Sequence, residues 1–266
     1  MEKISVIMAV YNEQENLIKS VPSILNQTYR NLEFIICDDG SDDQSAAILR
    51  RFAQQDARIR LLFHKKNMGH AFSLNHCLKY ADGKYIARMD ADDESLPERL
   101  QIQVDFLDTH SNYDFCGTSI LYLEETGKSF CLTNPQIPEP KDFLWGTCFC
   151  HPTVVFRSGV LAKVEGYRTL RETRRCEDYD LFMRMYAQGL RGYNIQQILY
   201  HYYYRDKNNH SFQGRYYEAK IRFQGFKALG LLPKGFLYIV KPFLAAMIPD
   251  SVIKRIRRKR YQNNKK

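Results

Sequence analysis

Apolar runs alternate with amphipathic segments along the first third of the chain. A continuous hydrophobic run, typical of a strand covered on both faces, stands at residues 4–10, and further strands are predicted at 32–38, 59–64 and 83–89. Segments whose apolar residues recur at helical spacing separate them, at residues 13–27, 42–55 and 70–81. Ser41 or Asp42 is the expected N-cap of the second helix. This alternation predicts an α/β fold with a Rossmann-like, mostly parallel central sheet flanked by helices.

The second half of the chain is less regular. Strands are predicted at residues 114–125 and 151–156, and helices at 177–189 and 214–230, each ending at a glycine. The sequence shows no internal repeat and no low-complexity linker in this region. Residues 1–230 are therefore expected to form one domain, followed by a tail of different character at 231–266.

The basic charge of the chain is concentrated in that tail. Residues 231–266 hold ten Lys or Arg and one acid, Asp250, and so account for the whole formal net charge of +9. Residues 1–230 are neutral overall, which argues against a nucleic-acid partner for the body of the protein. Within the tail, eleven of the thirteen residues at 236–248 are apolar, and six of the seven at 254–260 are basic.

An apolar stretch followed by a polybasic cluster is the two-signal pattern of reversible attachment to an anionic membrane surface. The stretch is shorter than the roughly 20 residues that a spanning helix needs. We therefore predict that residues 231–266 hold the protein on the inner face of the plasma membrane. The alternatives are a helix packed on the body with a solvated basic end, and a tail that binds nucleic acid.

The cysteines indicate a reducing compartment. There are seven, an odd number, no Cys-x-x-Cys pair occurs, and most stand inside apolar runs. We interpret them as reduced thiols that fill space in a cytoplasmic protein. The apolar run at 4–10 is too short for the hydrophobic region of a signal peptide, which agrees with a cytoplasmic location.

Acidic and polar residues follow three predicted strands at the point where each strand ends. The first ends in VYNE, the second in CDDGSDD and the fourth in RMDADDE. Because the carboxyl ends of parallel strands meet at one edge of a sheet, these residues are expected to line one cleft. The first strand is not followed by GxGxxG, and no Walker A motif occurs. A phosphate would therefore be held through a divalent cation on carboxylates, for which Asp-Ala-Asp is suited.

Several motifs together resemble a known family. SVIMAVYNE, SILNQTYRNLEFIICDDGSDD, NMGHAFSLNHCL, ADGKYIARMDADDESLPERL, HPTVVFR and EDYDLFMRM stand in the order and spacing of family 2 glycosyltransferases of the GT-A fold. The resemblance covers roughly residues 3–205. It implies an inverting enzyme that uses Mn²⁺ or Mg²⁺. The enzyme would transfer a sugar from a nucleotide-sugar donor, a UDP-sugar in our prediction, to a hydroxyl of a glycan or lipid-linked acceptor during polysaccharide biosynthesis.

The resemblance also implies roles for single residues. The positions matching nucleotide contacts are Ala9, Tyr11, Glu13, Asp39, Asn67, Asp90 and Ala91. Asp92 matches the metal ligand, and Asp178 matches the catalytic base that takes the proton of the acceptor hydroxyl. Two departures stand out: Leu74 replaces a common arginine, and Lys207 stands where a histidine is common, with His210 three residues later.

Other polar residues have a structural explanation. Asp38 is expected to cap the following helix, and Asp93 and Glu94 to lie before the helix that starts near Pro97. Glu177 and Asp180 are expected in the first turn of their helix, and His151 is expected to be structural. Trp145 has two possible roles, stacking on an acceptor sugar or packing in the core.

Two other functions compete with glycosyl transfer. A non-catalytic module that binds sugar nucleotides at a membrane is disfavoured because Asp92 and Asp178 are intact. A nucleotidyltransferase of similar fold usually carries a glycine-rich basic loop after the first strand, which is absent here.

Overall fold

A single sheet organises the part of the chain that the computed structural model describes, residues 2–204 and 212–246. Its strands are β1 (Ile4–Val10), β2 (Leu32–Asp38), β3 (Ile59–Phe63), β4 (Tyr85–Asp90), β5 (Glu94–Ser95), β6 (Phe115–Glu124), β7 (Ser129–Leu132), β8 (Val155–Arg157) and β9 (Gly192–Tyr204). The helices are α1 (Leu17–Leu25), α2 (Ser45–Gln55), α3 (His70–Leu78), α4 (Arg99–Thr109), α5 (Val160–Lys163), α6 (Glu177–Ala187), α7 (Phe212–Ala228) and α8 (Phe236–Ala246).

The sheet has a parallel half and a mixed half. The strand order is β3-β2-β1-β4-β8-β6-β9-β5, with β7 paired to β6. The pairs among β1, β2, β3 and β4 are all parallel, as the alternating sequence pattern predicts. Beyond β4 the strands pair in both directions, and β9 lies parallel to β6. The predicted α/β fold class is confirmed, with the parallel arrangement confined to its first half.

Strand β1 lies at the centre of the parallel half, and all seven of its residues are buried. Its alternate side chains enter two hydrophobic cores, one on each face of the sheet. This explains the unbroken apolar run, because a strand covered by helices on both faces has no solvated side. The register sets Val10 beside Asp38 and Ala9 beside Asp90, so the ends of three strands coincide.

Two local predictions were wrong. Helix α2 begins at Ser45, and neither Ser41 nor Asp42 caps it; the Asp43 carboxylate accepts the Ser45 backbone N–H at 2.8 Å. Glu94 belongs to the short strand β5, which pairs with β9, and α4 has no acidic residue in its first turn. The sequence pattern did not predict β9. Because Glu94 and Ser95 pair with that strand, they are extended and α4 begins only at Arg99.

The last described helix packs against the body. Ile239 of α8 is buried in one of the two cores, and Arg215 of α7 donates to the Pro242 carbonyl at 2.6 Å. Phe236 and Leu237, by contrast, are exposed. None of the helices within 2–204 and 212–246 has the length and apolar character required to span a bilayer. The polybasic run at 254–260 and the positions Lys207 and His210 lie outside the described residues.

Candidate active site

A cleft of about 1170 Å³ opens at the carboxyl ends of β1, β2 and β4. Its walls include every residue to which the sequence assigns a role, namely Ala9, Tyr11, Glu13, Asp39, Asn67, Asp90, Ala91, Asp92 and Asp178. The first eight follow or end strands of the parallel half, whereas Asp178 comes from α6 on the other side. The fold therefore brings together residues that are far apart in the sequence.

The loop after β1 is fastened to the loop after β2. Asn12 has a left-handed backbone with φ of 56°, and its side chain both donates to the Asp42 carboxylate at 2.6 Å and accepts the Asp42 N–H at 3.0 Å. The Glu13 N–H donates to the Ser45 hydroxyl at 2.9 Å. These bonds hold the loop that carries Tyr11, a residue that is 43% exposed and lines the cleft. An exposed ring in this place offers a surface on which a nucleobase can stack.

Asp39 is 2% exposed and accepts three hydrogen bonds. Its donors are the N–H of Met68 at 2.9 Å, the N–H of Gly69 at 2.8 Å and the His64 ring at 2.7 Å. Gly69 adopts φ of 102°, a conformation that side chains other than glycine rarely take. Asp39 thus fixes the Asn-Met-Gly turn that continues the cleft wall.

Asp38 does not cap the following helix. Its carboxylate accepts the Ser41 hydroxyl at 2.6 Å and the Ser41 N–H at 3.3 Å, which closes the turn immediately after β2. The two neighbouring aspartates therefore stabilise different turns: Asp38 the turn after β2, and Asp39 the turn after β3.

Asp90, Asp92 and Asp93, here called the acidic cluster, hold carboxylate oxygens within 4.8 Å of one another. Asp93 is 2% exposed; one of its oxygens accepts the Tyr203 N–H at 2.9 Å, and the other, Oδ2, has no hydrogen-bond partner. Burial, followed by the charges of Asp90 and Asp92, raises the pKa of Asp93 well above its usual range. A buried carboxylate oxygen without a partner, beside two more carboxylates, is a donor set that fits Mg²⁺ or Mn²⁺.

A buried arginine lies beneath the acidic cluster. Arg88 is 2% exposed, and its guanidinium is paired with Asp90 and hydrogen-bonded to His70. Burial alone would lower the pKa of Arg88, but the charge of Asp90 raises it above its ordinary value. Arg88 therefore stays charged and offsets part of the repulsion among the carboxylates. Arg88 was not among the residues predicted for the site, although a lone arginine inside an apolar strand was a visible signal.

Helix α6 presents three acids in its first turn, Glu177, Asp178 and Asp180. Asp180 is held by Arg184 at 2.7 Å and by Arg168 at 3.2 Å, so it has a structural partner on each side. Glu177 and Asp178 instead line the cleft. Burial raises the pKa of Asp178. Burial, followed by the charge of Asp178, raises the pKa of Glu177 to about 7. Burial thus outweighs the helix dipole, which favours the charged form.

A loop rich in arginine forms the wall next to α6. Residues 168–175, here called the arginine loop, contribute Arg168, Arg171, Arg174 and Arg175 to the cleft. All four side chains are exposed, and Arg175 has a left-handed backbone with φ of 71°. The run Arg-Glu-Thr-Arg-Arg was visible in the sequence, but no pattern placed it beside the acids.

The match of a family profile decides the class of this protein. Residues 5–163, more than half of the chain, match the family described as glycosyl transferase family 2. The chain belongs to this family. The resemblance seen in the sequence is thereby confirmed.

Relatives in the same family extend the likeness over the whole chain. EpsE of Bacillus subtilis (strain 168), whose name describes a glycosyltransferase, is 40% identical over 269 aligned residues, which cover 99% of this chain and 96% of the relative. The O-antigen biosynthesis glycosyltransferase WbnJ of Escherichia coli is 33% identical over 225 residues, covering 82% of this chain and 86% of the relative.

Solved structures of glycosyltransferases share the fold. A fragment of TarS from S. aureus, residues 1–349, in complex with UDP-GlcNAc, superposes with a TM-score of 0.68 at 19% identity, covering 84% of this chain and 66% of the fragment. The mannosyltransferase PcManGT from Pyrobaculum calidifontis, in complex with GDP-Man and Mn²⁺, gives a TM-score of 0.65 at 18% identity, covering 96% of this chain and 79% of that chain. The GT-A fold predicted from the sequence is confirmed.

Three further residues of this family 2 glycosyltransferase are structural. His151 is buried and hydrogen-bonded to the Tyr167 hydroxyl at 2.7 Å. Asn75, beside Leu74, exchanges two hydrogen bonds with the Tyr167 backbone. Trp145 neither lies in the core nor lines the cleft; its ring contacts Tyr238 of α8.

Proposed function

We propose that this glycosyltransferase transfers a sugar from a UDP-sugar, with inversion at the anomeric carbon, to a hydroxyl of a glycan or lipid-linked acceptor in polysaccharide biosynthesis. The observation that carries the proposal is the cleft that Asp39, Asp90, Asp92 and Asp178 all line. WbnJ, named for O-antigen biosynthesis, and the TarS complex with UDP-GlcNAc support the pathway and the donor class.

The donor would lie along the strand ends. Tyr11 would stack on the base, with Ala9, Glu13, Asp39 and Asn67 around the nucleoside, and Asp90 and Ala91 beside the ribose. Asp92, with its neighbours in the acidic cluster, would hold Mn²⁺ or Mg²⁺. The bound cation would act as a Lewis acid that neutralises charge developing on the departing diphosphate. Arg88 is paired with Asp90 in this arrangement.

Asp178 would supply the base. A carboxylate within hydrogen-bond reach of the acceptor hydroxyl takes its proton while the oxygen attacks the anomeric carbon from the side opposite the diphosphate. One displacement of this kind inverts that carbon. The raised pKa of Asp178 suits the role, because a stronger base takes the proton more readily. Glu177, whose pKa is about 7, is the competing candidate in the same turn.

The acceptor would approach past the arginine loop. Exposed Arg171, Arg174 and Arg175 offer guanidinium groups that bind phosphate oxygens in pairs of hydrogen bonds. This favours an acceptor whose glycan is linked to lipid through phosphate. Such an acceptor would make attachment to the inner membrane surface useful. We propose that residues 231–266 provide this attachment, with 1–230 as the catalytic domain of a cytoplasmic enzyme.

A donor screen tests the proposal. The purified full-length chain is incubated with Mn²⁺ and each of several UDP- and GDP-sugars, and nucleotide release is measured with and without EDTA. Release from a UDP-sugar that EDTA abolishes is the expected result. Metal-dependent binding of a UDP-sugar without release, even with lipid-linked acceptors present, would instead favour the non-catalytic scaffold. Release that persists in EDTA would refute the metal dependence.

A further inference from the structure

A second group of metal-ligand side chains lies next to Asp39 and apart from the acidic cluster. It consists of Cys37 on β2, His64 directly after β3 and His76 on α3. The Cys37 Sγ lies 3.5 Å from His64 Nε2 and 3.8 Å from His76 Nδ1. The two histidine nitrogens are 2.8 Å apart. The three ligand atoms thus lie within 3.8 Å of one another, although they come from three separate elements of the fold.

Asp39 determines which nitrogen of His64 is available at that point. The carboxylate can only accept a hydrogen bond, so the Nδ1 of His64, 2.7 Å from Asp39, carries the proton. The lone pair of a neutral His64 is then on Nε2, the nitrogen that faces Cys37 and His76. A carboxylate that holds the far nitrogen of a histidine in this way is the usual outer support of a metal-binding histidine.

We propose that Cys37, His64 and His76 form a zinc site that supports the cleft from beneath Asp39. With Zn–S near 2.3 Å and Zn–N near 2.0–2.1 Å, a tetrahedral site places S and N about 3.6 Å apart and two N atoms about 3.3 Å apart. Both sulfur–nitrogen separations already lie close to that spacing. The two histidines must separate by about half an ångström on this geometry, and the His64 ring must turn, because the Cys37 Sγ lies 3.9 Å from its Nδ1 as well as 3.5 Å from its Nε2. The proposal does not rest on the function assigned to the cleft.

The chemistry of the donor set selects zinc rather than the cation of the acidic cluster. Thiolate and imidazole favour Zn²⁺, whereas carboxylates favour Mg²⁺ and Mn²⁺. Binding displaces the thiol proton of Cys37 to solvent, and the His76 proton moves from Nδ1 to Nε2, so that Nδ1 can coordinate. Burial, then the neighbouring His64, lowers the pKa of His76, which keeps that ring neutral and able to coordinate.

The surroundings of the three ligands suit a structural site. The buried Cys77 thiol lies beside Cys37 and donates to the Met8 carbonyl oxygen at 3.7 Å. The rings of Phe72 and Tyr80 contact His64 and His76 at centroid distances of 5.3 Å and 5.7 Å. Both rings are partly exposed, so the site lies one side chain below the surface and an ion can reach it.

Metal analysis and cobalt substitution test the site. The full-length chain, expressed with zinc and dialysed against excess Mg²⁺, should retain about one zinc per chain, held by the three side chains with water as its fourth ligand. Replacement by Co²⁺ should give a thiolate-to-cobalt charge-transfer band and the strong visible absorption of a tetrahedral ion. Octahedral Co²⁺ on the acidic cluster gives neither signal.

Variants then locate the ion. Cys37→Ser and His76→Gln should each abolish the charge-transfer band, whereas Cys131→Ser and Asp92→Asn should keep it. Asp39→Asn should weaken zinc binding about 10- to 100-fold, the effect of removing the support of a ligating histidine. Failure of the wild-type chain to bind zinc or to give the band overturns the proposal without any variant. Retention of the band in folded Cys37→Ser or His76→Gln, or its loss in Asp92→Asn, also overturns it.

Discussion

The two walls of the cleft are built in different ways. The wall made by β1, β2 and β4 carries Asp39, Asp93 and Arg88, all nearly inaccessible to solvent and held by hydrogen bonds or ion pairs. The opposite wall is the arginine loop, whose charged side chains are exposed. The difference matches the two substrates we propose. A nucleotide sugar has a constant nucleotide part that a rigid wall can recognise, whereas acceptors differ between pathways and suit a loop.

The largest effect should come from replacing the proposed metal ligand, Asp92, in the wall made by β1, β2 and β4, here called the rigid wall. Asp92→Asn removes a charge from the acidic cluster while keeping its shape, so nearly all turnover and all metal-dependent UDP binding should be lost. Turnover with a UDP-sugar and calorimetric titration of UDP with Mn²⁺ measure the two losses. Full activity in this variant would refute the metal role of Asp92.

The second-largest effect should come from Asp178, in the first turn of α6, where the two walls meet. Asp178→Asn should lower kcat by about 10²- to 10⁴-fold, the range for a positioned acid or base. Binding of UDP-sugar and metal should stay near normal, because the base touches the acceptor. Glu177→Gln is the matched control; if it loses activity while Asp178→Asn keeps it, the base is Glu177.

A smaller effect should come from the exposed wall. Arg171→Ala and Arg174→Ala each remove hydrogen bonds to a charged group, worth about 1.5–3 kcal/mol. The KM for a phosphate-linked acceptor should rise by about one to two orders of magnitude, and the KM for the donor should not change. Arg191→Ala, an exposed arginine outside the cleft, is the control. A rise in the donor KM alone would assign the loop to the diphosphate instead.

The pH dependence of stability offers a measurement independent of turnover. The pKa of Glu177 is about 7 in the folded state and 4.5 in an ordinary glutamate. Between these pH values the folded chain therefore binds more protons than the unfolded chain does. The free energy of unfolding should therefore fall as the pH rises through this range, by at most about 3 kcal/mol. Glu177→Gln should flatten that fall, which denaturant titrations at several pH values would detect. An unchanged slope would contradict the raised pKa.

The smallest effect concerns the exposed face of α8. Phe236→Ser with Leu237→Ser removes two apolar side chains that the body leaves uncovered. Pelleting with anionic liposomes should weaken by about tenfold or less, since a helix lying at the membrane surface buries only part of each side chain and the basic residues remain. Ile137→Ser, at another exposed apolar residue, should pellet like the wild type. Equal pelleting of all three proteins would contradict membrane contact through α8.

The sequence predicted the rigid wall better than the exposed one, for a physical reason. The apolar run Ile4–Val10 can only be a strand covered on both faces, and parallel pairing then forces the ends of β1, β2 and β4 together. Positions that follow those ends, such as Asp39 and Asp92, could therefore be assigned to a cleft. Their roles remain predictions.

What the sequence could not supply are contacts between distant segments. Arg88 reads as an ordinary residue until burial and its pairing with Asp90 are known. Asp93 was expected as a charge before the helix near Pro97, but pairing of β5 with β9 turns it inward. The arginines of residues 168–175 follow no periodic pattern, and only the tertiary structure brings them beside α6. Each case depends on a partner that is remote in sequence.

The hydrogen bond between Asp93 and Tyr203 has a consequence for the order in which the protein assembles. The two residues are 110 positions apart, and Tyr203 belongs to the last strand of the sheet to be synthesised. The parallel half can form on the ribosome as soon as β4 emerges, but the acidic cluster gains its final support only when β9 has been added. A nascent chain ending before residue 190 would carry all three aspartates without this support. The cation site that we propose is thus completed only after β9 has been synthesised.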